Sequence, residues 1–159
     1  MRIKGFKPYC PDNSVILILG SFPSVKSREQ NFYYGHRQNR FWKTLAEFFG
    51  EEIPTDTDGK KALLDRHGIA LWDIVTECEI TGSQDNTIKN YETADVPELI
   101  ARCPGIAKIL LNGKTAAKIF SDAFPEFAPM GILMPSTSPA NPRFDKNIWF
   151  SALNGALPH

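Results

Sequence analysis

Four short runs of aliphatic residues recur along the chain, and polar residues, Gly or Pro follow each of them. The runs span residues 15–20, 68–75, 106–112 and 131–134, and they are rich in Ile, Leu and Val. Apolar runs of this length that end in turn-forming residues are typical of buried β-strands. The pattern therefore predicts four strands spread over the chain.

The segments between these runs carry apolar residues at helical spacing. This spacing predicts helices over residues 40–49, 94–103 and 115–124. Residues 51–60 are rich in acidic side chains and are predicted to form an exposed loop. Alternating strands and helices favour an α/β domain with a mostly parallel sheet. Because ligands of such sheets collect beyond the carboxyl ends of the strands, the polar segments after the four runs form the candidate binding rim.

Length and composition narrow the class of protein. The chain has 159 residues, of which 42% are hydrophobic, so we expect residues 1–159 to form a single domain around one sizeable core. The longest purely apolar run, residues 15–19, is far shorter than the roughly 20 residues that span a bilayer, and the N-terminus has no apolar signal-peptide core. We therefore expect a cytoplasmic protein with no membrane partner.

Cysteine usage and charge disfavour two further classes of protein. The three cysteines, Cys10, Cys78 and Cys103, are scattered, with no His nearby at zinc-ligand spacing, so no metal site or disulfide framework is predicted. The formal net charge is zero, whereas nucleic-acid binders usually carry a basic excess. Residues 22–43, however, carry five Lys or Arg against one acid, Glu29, and this local positive field could attract DNA.

The first candidate site follows the first predicted strand. Residues 20–24 read Gly-Ser-Phe-Pro-Ser, in which Gly20 permits a tight exit from the strand and Pro23 stiffens the loop. Taken alone, the segment is equally typical of an ordinary strand-to-helix turn. Its significance therefore depends on the segments that accompany it.

The second candidate site is a dense cluster of aromatic, amide and basic residues over residues 31–42. Aromatic rings at a polar rim can stack on an unstacked base. His36 and Asn39 offer neutral groups that can position a water or contact a base edge. Phe41 and Trp42 fall on the apolar face of the predicted helix, so we expect these two residues to belong to the core.

Six blocks of residues resemble motifs of the uracil-DNA glycosylase superfamily, and they occur in the same order along the chain. The resemblance is greatest to the mismatch-specific and hypoxanthine-specific branches of the superfamily. The first two blocks are Gly-Ser-Phe-Pro-Ser from residue 20 and Tyr-Tyr-Gly-His-Arg-Gln-Asn-Arg-Phe-Trp from residue 33. The later blocks are Leu-Trp-Asp-Ile-Val, Gly-Ser-Gln-Asp, Leu-Asn-Gly-Lys and Met-Pro-Ser-Thr-Ser-Pro, which begin at residues 71, 82, 111 and 134. The resemblance runs from residue 15 to residue 149, and the ordered blocks are far more specific together than singly.

The resemblance implies an α/β fold, a three-layer α/β/α sandwich with a central four-stranded, mostly parallel sheet. It implies that a base is flipped out of duplex DNA and that water hydrolyses its N-glycosidic bond, without metal or cofactor. Mismatch-specific members carry Asn where this chain has Phe22, whereas the hypoxanthine-specific branch has its catalytic Asn in the second block, where Asn39 stands. The implied substrate is double-stranded DNA containing a deaminated base. Hypoxanthine is the first choice, and uracil, alone or in mismatches, is the alternative.

The resemblance also assigns catalytic residues. Cleavage builds positive charge on the sugar and negative charge on the leaving base, so an enzyme must orient water on one side and donate hydrogen bonds on the other. Asn39 is expected to position the water, and Asn112 to hold the base edge. A loop-stabilising role for Asn112 and a structural role for His36 are open alternatives.

Two further groups of residues are implied around the base and the DNA. The expected base pocket comprises Gly20, Ser21, Phe22, Tyr34 and His36. Within it, the aromatic ring of Tyr34 is expected to stack on the base. The last block begins a segment, residues 134–143, that suits a loop that grips phosphate and presses into the minor groove, although such a loop can also be merely proline-stiffened. Its expected DNA-binding residues are Ser136, Ser138, Pro139, Asn141 and Arg143.

Functions of other classes remain possible. A catalytically silent DNA-binding module would fit the zero net charge and Phe22, but it would not need both Asn39 and Asn112. An enzyme acting on free nucleosides would need no basic rim. The basic residues that disfavour it are Arg28, Arg37, Arg40 and Arg143. We therefore expect a monomeric DNA glycosylase.

Overall fold

Residues 2–158 are described by a computed structural model, and they form two β-sheets with flanking helices. In chain order the strands are β1 (Ile3–Lys4), β2 (Ile16–Gly20), β3 (Ile69–Asp73), β4 (Val75–Glu79), β5 (Lys89–Thr93), β6 (Lys108–Asn112) and β7 (Gly131–Met134). The helices are α1 (Val25–Gln30), α2 (Phe41–Phe49), α3 (Thr57–His67), α4 (Val96–Arg102), α5 (Lys114–Ala123) and α6 (Lys146–Ala156). Short 3-10 turns span Asp85–Thr87 and Pro125–Met130.

The larger sheet has four parallel strands in the order β3-β2-β6-β7. Each strand lies within one of the four aliphatic runs, which confirms the predicted strands and the mostly parallel sheet. Every residue of β2 and β3 is buried. Burial on both faces explains why these strands appear in the sequence as continuous apolar runs rather than as alternating patterns.

Helices cover both faces of this sheet. Successive residues of a strand point to opposite faces, so Ile16 and Ile18 lie on one face and Leu17 and Leu19 on the other. The first pair packs with buried residues of α2, α3 and α6, and the second pair with buried residues of α4 and α5. This arrangement confirms the three-layer α/β/α sandwich. Phe41 and Trp42 of α2 are buried, as expected for core residues.

A second, antiparallel sheet in the order β1-β4-β5 was not predicted. Only Ile74 separates the end of β3 from the start of β4. The predicted strand over residues 68–75 is therefore divided between two sheets. All five residues of β5 are exposed, and its Lys-Asn-Tyr-Glu-Thr sequence has no apolar alternation. The connection between β4 and β5 reaches the loop after β2, because the Val25 amide donates a hydrogen bond to Ser83 Oγ.

The prediction of an exposed loop over residues 51–60 is wrong for its second half, because α3 begins at Thr57. Asp56 caps this helix by accepting a hydrogen bond from the Gly59 amide over 2.7 Å. Asp58 lies in the first turn, where a negative charge complements the helix dipole. The acidic residues of this segment therefore mark the start of a helix.

Candidate active site

The parallel strands end at a common edge, where a cavity of about 990 Å³ opens. The last residue of each strand in the larger sheet lines it: Gly20, Asp73, Asn112 and Met134. The cavity therefore lies beyond the carboxyl ends of the strands, as expected from the sequence. It brings together all twelve predicted site residues, namely Gly20, Ser21, Phe22, Tyr34, His36, Asn39, Asn112, Ser136, Ser138, Pro139, Asn141 and Arg143.

Asn112 is held in place by Thr137, which the sequence analysis did not select. Asn112 Nδ2 donates to Thr137 Oγ1 over 3.0 Å, and the Thr137 amide donates to Asn112 Oδ1 over 3.0 Å. The Asn112 side chain therefore stabilises the loop after β7, which spans residues 135–145. A second N–H and a second lone pair remain on the amide, so it can also bind a base edge.

Asn39 lies at the turn that leads into α2. Its Oδ1 accepts a hydrogen bond from the Phe41 amide over 2.9 Å, which fixes the orientation of the side chain. One lone pair of Oδ1 remains for a water molecule, and Nδ2 has no hydrogen-bond partner among residues 2–158. The geometry therefore allows Asn39 to orient a water while it accepts the hydrogen bond from the first amide of α2.

His36 has one nitrogen committed to its own loop. Its Nδ1 accepts a hydrogen bond from the Gln38 amide over 3.1 Å. A neutral imidazole that accepts at Nδ1 carries its proton on Nε2, which leaves one donor available to the cavity. The structural role and the binding role considered for His36 are thus compatible.

Tyr34 packs one side of its ring against the core. Its ring centroid is 4.1 Å from that of Phe41, with an interplanar angle of 27°. Only the opposite face of the ring is then left to contact a base. The hydroxyl group is buried and makes no hydrogen bond within the part of the chain that the structure describes, although the Asn112 side chain lies near enough to oppose the rise in its pKa. Burial raises the pKa of this hydroxyl, so it remains a hydrogen-bond donor.

Asp73 is the main site residue that the sequence analysis missed. It ends β3 directly opposite Gly20 of β2, is only 4% exposed and lines the cavity. Burial and the neighbouring Asp85 raise the pKa of its carboxyl to about 8. A lone acidic residue that closes a buried aliphatic strand was the available signal in the sequence.

The end of β2 lies against two acidic side chains, with Gly20 beside Asp73 and Ser21 hydrogen-bonded to Asp85. A Cβ atom on Gly20 would lie 2.5 Å from Asp73 Oδ1 and 3.1 Å from the Tyr34 hydroxyl oxygen, so a larger residue there would displace the Asp73 carboxyl. Ser21 Oγ donates to Asp85 Oδ1 over 2.8 Å. Burial raises the pKa of the Asp85 carboxyl. Phe22, at 8% exposure, adds an apolar wall.

The loop after β7 is organised by its own polar side chains and by Arg40. Ser136 Oγ accepts from the Ser138 amide over 3.2 Å, and Asn141 Oδ1 accepts from the Arg143 amide over 3.1 Å. The Arg40 guanidinium donates to the carbonyl oxygens of Ser138 and Asn141 over 3.2 and 2.9 Å. Arg40 therefore supports the loop. By contrast, the Arg143 guanidinium is exposed and makes no hydrogen bond or ion pair with residues 2–158.

Comparison with known proteins identifies the family to which this chain belongs. The family model described as the uracil DNA glycosylase superfamily matches residues 7–154, which is most of the chain. The chain belongs to this superfamily. It is 35% identical over 148 residues to a hypoxanthine DNA glycosylase of Methanosarcina acetivorans, with 91% of each chain covered. It is also 34% identical over 119 residues to a hypoxanthine DNA glycosylase of Methanosarcina barkeri, with 74% of this chain and 75% of that protein covered.

A solved structure of the superfamily has the same fold. It is a solution NMR structure of a Methanosarcina acetivorans protein provisionally named a uracil DNA glycosylase. The TM-score is 0.84 at 31% sequence identity, and 98% of this chain and 99% of that chain are covered. As a uracil DNA glycosylase superfamily member, the chain is a DNA N-glycosylase with a DNA substrate, and its cavity at the strand ends is the candidate position for the base.

Residues 2–158 contain neither a cluster of metal-ligating side chains nor a membrane-spanning helix. No group of three or more His, Cys, Asp or Glu side chains in this range is placed to hold a metal ion. Within the same range, each helix is too short or too polar to cross a membrane.

Proposed function

We propose that this protein removes hypoxanthine from double-stranded DNA by hydrolysing the N-glycosidic bond and leaving an abasic site. One observation carries the proposal: Asn39, which matches the catalytic residue of the hypoxanthine-specific branch, lines the same cavity as Asn112. The names of the two Methanosarcina relatives support the same substrate. Uracil, alone or in mismatches, is the alternative base.

The roles of the residues follow from the charges that develop during cleavage. Phe22 has no polar group with which to orient a water, so this task falls to another neutral residue of the cavity. Asn39 has a free lone pair on Oδ1 and can hold the water beside the sugar. Asn112 can donate its remaining N–H to the base, where negative charge accumulates.

The remaining cavity residues would bind the base and the duplex. The free face of Tyr34 would stack on the extruded base, and the exposed guanidinium of Arg143 would contact phosphate. The same loop, with Ser136, Ser138, Pro139 and Asn141, would lie in the minor groove. A single domain over residues 1–159, a monomeric state and a cytoplasmic location complete the proposal.

Cleavage of labelled duplexes tests the substrate. Duplexes carrying one deoxyinosine, deoxyuridine or deoxyxanthosine would be incubated with excess enzyme and then treated with alkali, which breaks the strand at abasic sites. We expect deoxyinosine to react fastest. Asn39→Ala should slow the reaction by about 10²–10³-fold, and Gln38→Ala, an exposed neighbour, is the control.

Other outcomes would favour the alternatives. Preference for deoxyuridine would assign the chain to uracil repair. Binding of the duplexes without cleavage would favour a silent DNA-binding module. Release of hypoxanthine from free inosine, with intact duplexes left unchanged, would identify a nucleoside hydrolase and contradict the proposal.

A further inference from the structure

Two buried polar atoms at the cavity have no hydrogen-bond partner. They are the Tyr34 hydroxyl oxygen and Asp73 Oδ2, and within residues 2–158 no other buried side-chain atom is unpaired. An unpaired buried polar group costs about 1–3 kcal/mol. Native proteins therefore keep few of them, and at a cavity such groups are paired by water or by a ligand that replaces it. Both residues line the cavity.

The local structure keeps these two groups side by side. Asp73 lies at the end of β3, and Tyr34 approaches from the segment before α2. Gly20 lies between them, because a Cβ built there would meet both Asp73 Oδ1 and the Tyr34 hydroxyl. The end of β2 thus keeps a side chain from separating the two polar groups.

The surroundings of Asp73 favour its protonated form. The titratable groups that face it are Tyr33 and Tyr34, which are neutral, and Asp85, which has the same charge when ionised. His36 lines the same cavity. No ion pair in the described range includes Asp73. With burial and a neighbouring acid both opposing ionisation, and the pKa of the carboxyl raised to about 8, Asp73 carries a proton at neutral pH.

A protonated carboxyl beside a hydroxyl matches the chemistry of deaminated bases. Deamination replaces an exocyclic amino group, which donates hydrogen bonds, with a carbonyl oxygen, which accepts them. A protonated carboxyl therefore donates a hydrogen bond to the oxygen of hypoxanthine, whereas the amino group of adenine would present a second donor to it. The same oxygen shares the negative charge that develops on the leaving base, so this hydrogen bond strengthens in the transition state.

We propose that protonated Asp73, which lies beside the Tyr34 hydroxyl, donates a hydrogen bond to the exocyclic carbonyl oxygen of the extruded base. This contact selects deaminated bases and stabilises the departing base, while the proton stays on Asp73. The inference depends on the proposed glycosylase function and adds a specificity-determining residue to it.

The pH dependence of single-turnover hypoxanthine release distinguishes a donor from an acceptor at position 73. Wild type, Asp73→Asn and Asp73→Ala would be compared from about pH 6 to about pH 10. The wild-type rate should fall about tenfold per pH unit once Asp73 ionises. Asp73→Asn, which keeps a neutral N–H donor, should stay within a few-fold of wild type at neutral pH and lose this fall. Asp73→Ala should be slower than wild type by about 10²–10³-fold at neutral pH, and its rate should not fall as pH rises.

A spectroscopic measurement and a control make the test independent of folding. The infrared difference spectrum between wild type and Asp73→Asn should contain a protonated carboxyl band at neutral pH that disappears at high pH. Asp122→Asn, at an exposed position of α5, is the matched control for both measurements.

Each remaining outcome has a definite meaning. A wild-type rate that rises as Asp73 ionises, with loss of activity in Asp73→Asn, would make the carboxylate an acceptor and overturn the proposal. Wild-type rates for a folded Asp73→Ala variant would also overturn it. If wild type releases no hypoxanthine at any pH, the proposed substrate is wrong, whereas absence of the protonated carboxyl band would overturn the role of Asp73 separately.

Discussion

Asn112 and Thr137 hydrogen-bond to each other in both directions, through a side-chain donor at 3.0 Å and a backbone donor at 3.0 Å. Asn112 ends β6, whereas Thr137 belongs to the loop that follows β7. Both residues are buried. The pair therefore couples the orientation of the amide that faces the base to the conformation of the loop that faces the duplex.

Thr137→Val should lower both stability and the rate of base release. Valine keeps the shape and the backbone donor but removes Oγ1, so a buried Asn112 N–H loses its acceptor at a cost of about 1–3 kcal/mol. A less constrained Asn112 should also slow single-turnover release by roughly tenfold. Urea unfolding and single-turnover kinetics measure the two effects. Thr93→Val, at an exposed position of β5, is the control, and equal effects in both variants would argue against the coupling.

The stability of the protein should depend on pH through Asp73. In the unfolded chain an aspartate has a pKa of about 3.9, whereas in the folded protein the pKa of Asp73 is about 8. Between these values the folded state holds a proton that the unfolded state has lost. The free energy of unfolding should therefore fall as pH rises through this window, by about 1.4 kcal/mol per pH unit from this group.

Comparison with Asp73→Asn isolates this contribution. The variant lacks the titrating group, so its free energy of unfolding should decline less steeply than that of wild type. Asp85 is present in both proteins, and its own contribution cancels to a first approximation. Urea unfolding at several pH values between about 5 and 8 provides the two curves. Parallel curves would mean that Asp73 is ionised in the folded protein.

The sequence predicted the parts of the fold that depend on continuous apolar burial. The strands β2, β3, β6 and β7 lie in aliphatic runs because the central sheet is covered on both faces. By contrast, β5 is exposed along its whole length and has no such pattern. Helix α3 buries only Leu63 and Leu64, too few residues to produce a helical repeat, which is why its start was assigned to a loop.

The candidate site was predictable where motifs mark it and not where it depends on contacts between distant segments. All twelve expected residues line one cavity because three blocks follow the ends of β2, β6 and β7, and the block before α2 is hydrogen-bonded to the loop after β7. Asp73 escaped prediction since its environment is created by Gly20 and Tyr34, which lie far from it in sequence, and by Asp85, which lies beyond β4. The support that Arg40 gives to the loop after β7 likewise spans about a hundred residues and leaves no local pattern.

Arg143 and Arg40 should affect DNA binding in different ways. Arg143 is exposed and free of acidic partners within residues 2–158, so Arg143→Gln should reduce the salt dependence of DNA affinity by about one phosphate contact. Arg40→Gln should instead lower stability, because its guanidinium holds two carbonyl oxygens of the loop. Affinity measured over a range of salt, together with thermal unfolding, separates the two. An unchanged salt slope in Arg143→Gln would exclude that residue from phosphate contact.

Tyr34 allows the stacking contact and the hydroxyl contact to be separated. One face of its ring is packed on Phe41 at 4.1 Å, so only the other face can stack on a base. Stacking on an aromatic ring is worth ~1–3 kcal/mol per base. Tyr34→Ala should therefore weaken capture of the extruded base by roughly one to two orders of magnitude.

Tyr34→Phe should retain capture, because the ring remains, but should slow base release by a few-fold, because the hydroxyl beside Asp73 is lost. Its melting temperature should not fall, since the hydroxyl that is removed has no partner within residues 2–158. Enzyme titrations under single-turnover conditions give capture and release separately, and thermal unfolding of the same variants reports the packing against Phe41. A Tyr34→Ala variant that is less stable but releases hypoxanthine at the wild-type rate would show that the ring serves only the core. A Phe variant as slow as the Ala variant would assign the main contribution to the hydroxyl instead of the stacked ring.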